Sequence, residues 1–102
     1  AYARGVELLQ KRKYAKALYI LNDYNDRNTV VAHLSLDHNE RAMELLATMP
    51  KDAVTEYLRA IACSRLGRKA EGREHFLEAC RLDGRMEYRG NLDPEIAELL
   101  KQ

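Results

Sequence analysis

Three times along this chain a small residue stands four positions before a large apolar one: Ala17 before Leu21, Ala42 before Leu46, Gly72 before Phe76. Residues four apart share one face of an α-helix, so each pair marks a helix with a notch beside a knob. Each pair belongs to a longer apolar stripe with spacings of three and four. These stripes are Tyr14, Ala17, Leu18, Leu21 and Tyr24; Ala42, Met43, Leu45, Leu46 and Met49; and Gly72, Phe76, Ala79, Cys80 and Leu82. Each stripe follows a polar break, "KRK", "DHNE" or "GRKAE". Another short helical segment precedes each break: "ARGVELLQ", "NTVVAHLSL" and "YLRAIACSRL". Twelve residues before the three small positions stand Gly5, Val30 and Ala60, and three residues after those come Leu8, His33 and Cys63. The breaks "SLDHNERA" and "RLGRKAEG" align without a gap.

The chain therefore reads as three helical hairpins, over residues 1–24, 25–50 and 51–83. The repeat offsets are 25 residues (17 to 42) and 30 residues (42 to 72). Self-similarity at such a period is the mark of a stacked solenoid, in which no single hairpin buries its own stripe. Small residues at 5, 17, 42, 60, 72 and 79 are placed for close helix approach, with Leu46 and Phe76 filling the space between hairpins. A chain of 102 residues fits one domain, and abundant Leu, Ala, Glu, Lys and Arg without Trp make its composition helical. The tail "GRMEYRGNLDPEIAELLKQ" reads as a loop followed by one more helix, 94–101. Asp93 stands at its N-cap and Pro94 at its first position. Ile96, Leu99 and Leu100 form its apolar edge, with Glu95, Glu98 and Lys101 facing away. This helix reads as the polar-faced cap that a solenoid needs, or as the start of a further repeat. The chain opens already in helical register at Tyr2, Val6 and Leu9, without an initiator Met or an N-cap residue. It is read as a fragment of a larger protein.

On these residues the chain resembles the tetratricopeptide repeat (TPR) family, whose repeat combines small and aromatic positions with Ala-x-x-x-Phe/Tyr and a closing Pro. Residues 53–83 match best: Ala60 and Cys63, the turn Leu66-Gly67, Gly72-x-x-x-Phe76, Ala79, then "RLDG" in place of Leu-Asp-Pro. The first repeat matches through Gly5, Leu8, Tyr14, Ala17 and Leu21. The second is degenerate, with Val30 at the small position and His33 at the aromatic one. The family's period is about 34 residues, longer than either spacing here. The resemblance implies an all-α, right-handed solenoid of three antiparallel hairpins plus a C-terminal capping helix. The first helices of its repeats would line a concave groove.

Chemistry finds few footholds. The histidines, His33, His38 and His75, form no His-Glu-x-x-His, and there is no Cys-x-x-Cys, glycine-rich phosphate loop or Gly-x-Ser-x-Gly. No catalytic residue, metal ligand or cofactor is expected. His33 lies on an apolar face and reads as core; Cys63 and Cys80 read as free buried thiols. A net charge of +1 gives no broad field for nucleic acid, and no apolar run suits membrane insertion. Basic clusters at Lys11-Arg12-Lys13 and at Arg65, Arg68 and Lys69 fall at turns and read as solvated.

The reading that remains is a non-catalytic protein–protein interaction module, a scaffold or adaptor taking a peptide or helix in its groove. That ligand belongs to a partner or to the parent chain itself. The resemblance implies groove positions Tyr2, Val6 and Leu9, then Arg27, Val31 and Leu34, then Tyr57, Ile61, Ser64 and Arg65. The alternative is a structural spacer with no ligand of its own, recognised by a groove that the terminal helix closes. A heat-shock chaperone carboxylate clamp is excluded, because the positions that need Lys, Arg and Asn hold Tyr2, Val6, Asn28, Val54 and Leu58. The tail "RGNLDPEI" resembles tails of repeat regions in bacterial envelope proteins, which implies a periplasmic address.

Overall fold

The computed structural model describes residues 1–101 as eight helices joined by short turns, with no strand among the described residues. They are α1 (Tyr2–Gln10), α2 (Tyr14–Leu21), α3 (Arg27–Ser35), α4 (Asn39–Leu46), α5 (Ala53–Arg65), α6 (Lys69–Leu82), α7 (Arg85–Asn91) and α8 (Pro94–Leu100). The six helices of the three expected hairpins are all present. None of the helices is long and apolar enough to cross a membrane.

The three hairpin turns are built alike. Arg12, Asp37 and Gly67 each adopt positive φ, at 61°, 60° and 76°. One residue later, the backbone N–H groups of Lys13, His38 and Arg68 donate to the carbonyls of Leu8, His33 and Cys63, at 2.9, 2.8 and 2.9 Å. Those same three residues then accept the first helical bonds of the next helix, from Ala17, Ala42 and Gly72, at 2.9, 3.0 and 2.9 Å. A left-handed residue followed by a six-to-one bond closes a helix by satisfying carbonyls that would otherwise be orphaned. The equivalences Leu8/His33/Cys63 and Ala17/Ala42/Gly72, legible as a pattern of side-chain size, are thus also equivalences of backbone geometry.

The unequal spacing has a local cause. Asp26 and Asp52 cap α3 and α5, their carboxylates accepting from Thr29 N at 3.1 Å and Thr55 N at 2.8 Å. From cap to turn, α5 has 13 residues against 9 in α3. The extra four are about one helical turn, inserted at the N-terminal end of α5. This accounts for most of the difference between the two repeat offsets.

The chain divides into two compact units, Ala1–Thr48 and Met49–Gln102. In the first, Leu8, Ala17 and Leu21 form a buried cluster with Tyr2, Leu9 and Ile20 packed against it. In the second, Tyr57, Ala60, Ile61, Phe76, Ala79, Met86, Ile96 and Leu99 form one core. Ala17, Ala42, Ala60 and Ala79 are completely buried, as close helix contact requires. A Cβ on Gly72 would come within 2.9 Å of Leu99 Cδ2 and 3.0 Å of Cys63 Cβ, so the bare backbone there lets α5 and α8 close on α6.

The tail departs from expectation. Residues expected to be loop form α7, which buries Met86 and brings Gly90 against the Phe76 ring; a Cβ on Gly90 would lie 2.4 Å from Phe76 Cζ. With only Met86 and Gly90 turned inward, α7 lacks the recurring apolar stripe that reveals a helix in sequence. The last helix has its expected cap and first-turn proline, Asp93 accepting from Glu95 N at 2.9 Å, and buries Ile96 and Leu99. Leu100, expected on that edge, is exposed, and Glu95, expected to face away, pairs with Arg65. Leu82, at the end of the third stripe, is also exposed.

Candidate functional site

The ten expected groove residues fall in different environments. In the first unit, Tyr2 is held at the N-terminus of α3. Its hydroxyl donates to the Asp26 carboxylate that caps α3 and accepts from Asn28 Nδ2 at 2.7 Å. Its ring meets Tyr24 edge-on at 4.7 Å. Donation to Asp26 raises the phenol above its ordinary pKa. Burial opposes ionisation of Asp26, but the bonds from Tyr2 and Thr29 outweigh it and hold the carboxyl low. Val6, Leu9 and Val31 are half-buried, Arg27 is exposed and Leu34 is buried.

In the second unit the first-helix face is covered. Tyr57, expected as a groove anchor, is 1% exposed. Its ring packs edge-on to Phe76 at 6.1 Å, the Arg89 guanidinium lies 4.4 Å from its centroid, and its hydroxyl donates to Asp93 Oδ2 at 2.8 Å. Burial, reinforced by Asp93, lifts the phenol well above its usual range. Ile61 is buried in the same core. Ser64 Oγ donates to the Glu95 carbonyl at 3.3 Å, and Arg65 makes a two-pronged contact with the Glu95 carboxylate, both bonds at 2.9 Å. All four expected positions of α5 are therefore occupied by α7 and α8. Neither short terminal helix announces in sequence which face of the chain it will cover.

Sequence reasoning did not single out a second surface of the first unit. Ala15, Leu18, Tyr19, Asn22 and Asp23 of α2 and its C-terminal turn, with Leu36 and His38 of the α3–α4 turn, line an open cleft of about 620 Å³. Tyr19 is 90% exposed at its rim. A signal was available, because Tyr19 lies off the Tyr14, Ala17, Leu18, Leu21 stripe. Beside the cleft, His33 is buried with Nδ1 at 3.1 Å from His38 Nδ1, and burial followed by the neighbouring His38 and Arg41 charges lowers its pKa. His33 is a core histidine, as its apolar face implied.

A third cluster lies between α5 and α6. Glu56 is 2% exposed, with one carboxylate oxygen taking the Arg59 guanidinium and the other 2.7 Å from His75 Nδ1. The Cys63 thiol donates to Glu71 Oε2 at 3.5 Å, and burial, then Glu71, pushes its pKa up to about 11. Cys63 and Cys80 are both free thiols, the first buried and the second half-buried. Searches against protein families, curated proteins and solved structures found no match for this chain. What the geometry defines is an all-helical protein of repeated hairpins.

Proposed function

We propose that the chain is a non-catalytic, TPR-like protein-interaction module that receives an amphipathic helix or peptide. The likeness to that family, a right-handed solenoid included, is part of the proposal; the turn geometry shared by all three hairpins supports it. The observation that carries the reading is the docking of α8. Ile96 and Leu99 of this helix are fully buried while Ser64 and Arg65 of α5 grip its Glu95. The α5–α6 hairpin of this chain accepts an amphipathic helix, here one of its own. In the first unit, Val6, Leu9 and Val31 and the Tyr19 cleft are the apolar surfaces left to a partner. Tyrosine is among the residue types enriched at energetically dominant contacts.

The same closure favours the spacer reading for the second unit, whose corresponding face is contacted by its own terminal helices. A displayed library of amphipathic helical and extended peptides, selected against the full chain, separates the two. The interaction reading expects hits whose binding survives high salt, because apolar contacts are little screened when a Debye length is about 8 Å or less. Those hits should weaken at least tenfold with Val31→Asp or with Tyr19→Ser, which tells the first-helix face from the cleft. If no hits emerge, or neither variant changes them, the spacer reading stands. Hits that fade steeply with salt and vanish on replacing Lys11, Arg12 and Lys13 by Ala move binding to the basic edge.

A further inference from the structure

We propose that Cys63, Glu71 and His75 form a binding site for a divalent transition-metal ion of the zinc class, with Glu56 orienting the imidazole. The site lies wholly within the second unit and does not depend on the interaction reading above.

The first observation is convergence. Glu71 and His75 stand four apart on α6, hence on one face, and the α5–α6 turn folds that face onto Cys63 of α5. The Cys63 sulfur, a Glu71 carboxylate oxygen and a His75 ring nitrogen all lie within 4.8 Å of one another. The sulfur and Glu71 Oε2 stand 3.5 Å apart. Ligands at zinc distances of about 2.3 Å for sulfur and 2.0 Å for oxygen, at a tetrahedral angle, stand about 3.5 Å apart. The sulfur and the carboxylate oxygen already stand at the spacing one ion requires.

The second observation is the support behind them. Metal-bound histidine ordinarily gives its other ring N–H to a carboxylate, which fixes the ring and raises its basicity. Glu56 stands 2.7 Å from Nδ1, where it would take that N–H with the ion bound through Nε2, and Arg59 anchors it from the other side. Arg59 is itself tied to the Met49 carbonyl at 3.1 Å. A buried carboxylate held this firmly positions an imidazole in a way that a mobile surface glutamate does not.

The third is access. Glu56 and His75 border a surface concavity of about 270 Å³, completed by Lys51, Glu74 and Glu78. The concavity brings solvent to the His75 edge of the cluster. The donor set selects its class. Thiolate with imidazole suits zinc, cobalt or copper, whereas calcium and magnesium prefer all-oxygen shells. Three protein ligands leave a fourth position to water. Binding exchanges the thiol proton for the ion, so uptake releases about one proton. The ion would clamp α5 to α6 close to their connecting turn.

Titration of the chelator-treated full chain with Co²⁺ tests the site. The expected result is a sulfur-to-cobalt charge-transfer band with the intense visible absorption of four-coordinate cobalt, saturating at one equivalent and displaced by Zn²⁺. Cys63→Ser should abolish the charge-transfer band and His75→Gln should weaken binding at least tenfold, while Cys80→Ser changes neither. Zn²⁺ should raise the melting midpoint of the unaltered chain, and Mg²⁺ should not. Absence of the band with Co²⁺ in excess overturns the proposal without recourse to any variant. So does a band that persists in Cys63→Ser, or that disappears in Cys80→Ser. Should Cys63→Ser lose its helical circular dichroism, the His75→Gln titration takes its place, and unchanged affinity there also overturns the site.

Discussion

At the scale of single residues, the three hairpin turns ask the same conformation of very different side chains. Gly67 enters the left-handed region without penalty, because it has no Cβ to crowd the following carbonyl. Arg12 and Asp37 hold φ of 61° and 60° with a side chain present, and Asp tolerates that region better than Arg. Arg12→Gly is therefore expected to stabilise the chain by about 1 kcal/mol, net of the greater freedom glycine gives the unfolded chain. Asp37→Gly should gain less. Urea melts of the two variants beside the parent measure both, and an Arg12→Gly chain no more stable than the parent would contradict the strain argued here. The Gly67 turn was legible as "RLGRK". The turns at Arg12 and Asp37 were legible only as polar breaks, since neither residue type by itself demands positive φ.

At the scale of elements, the terminal hairpin turns on Asp93. Its carboxylate caps α8 through Glu95 N and also accepts the buried Tyr57 hydroxyl, so one side chain both starts the helix and fastens it to α5. Asp93→Ala removes a cap, worth about 1 kcal/mol, and strands a buried hydroxyl, at a further cost of about 1–3 kcal/mol. Asp93→Asn keeps one acceptor oxygen for the Glu95 N–H and turns an amide N–H toward the Tyr57 hydroxyl oxygen, which can accept it, so it should lose less than Asp93→Ala. Tyr57→Phe in the Asp93→Ala background should recover part of the loss, because it removes the stranded group. Equilibrium unfolding of the three variants beside the parent tests this, and an Asp93→Ala chain as stable as the parent would show that neither contact matters. The cap itself was legible from Asp-Pro-Glu. Its second role was not, because Tyr57 lies 36 residues away and sequence spacing carries no record of which faces meet.

At the scale of the whole molecule, the second unit carries a core of its own, with Tyr57, Phe76, Met86, Ile96 and Leu99 packed around Ala60 and Ala79. The ion pairs Arg65–Glu95 and Lys51–Glu78 tie its segments together. Residues 49–102 expressed alone are expected to give a helical spectrum and a single cooperative melt. Stability should be modest, since a domain of this size buries only about 60% of its unfolded surface. A broad, non-cooperative transition for this piece would show that its core needs the preceding residues. The +1 net charge of the chain supplies little long-range attraction for an anionic molecule.

The sequence by itself determined the six hairpin helices, their turns, the capped last helix and the buried alanines. Each of these follows from local rules, in which a period near 3.6, a cap residue or a small side chain speaks for its own few neighbours. Tertiary structure decided what those elements face. Tyr57 and Ile61 have the composition of a binding surface, and only the return of α7 and α8 onto α5 makes them core. Cys63, Glu71 and His75 match no metal-ligand spacing along the chain, and only the antiparallel fold of α5 onto α6 gathers them. Side-chain periodicity says that a helix has an apolar face; the contacts that close over that face arise between residues too far apart in sequence for any local pattern to encode.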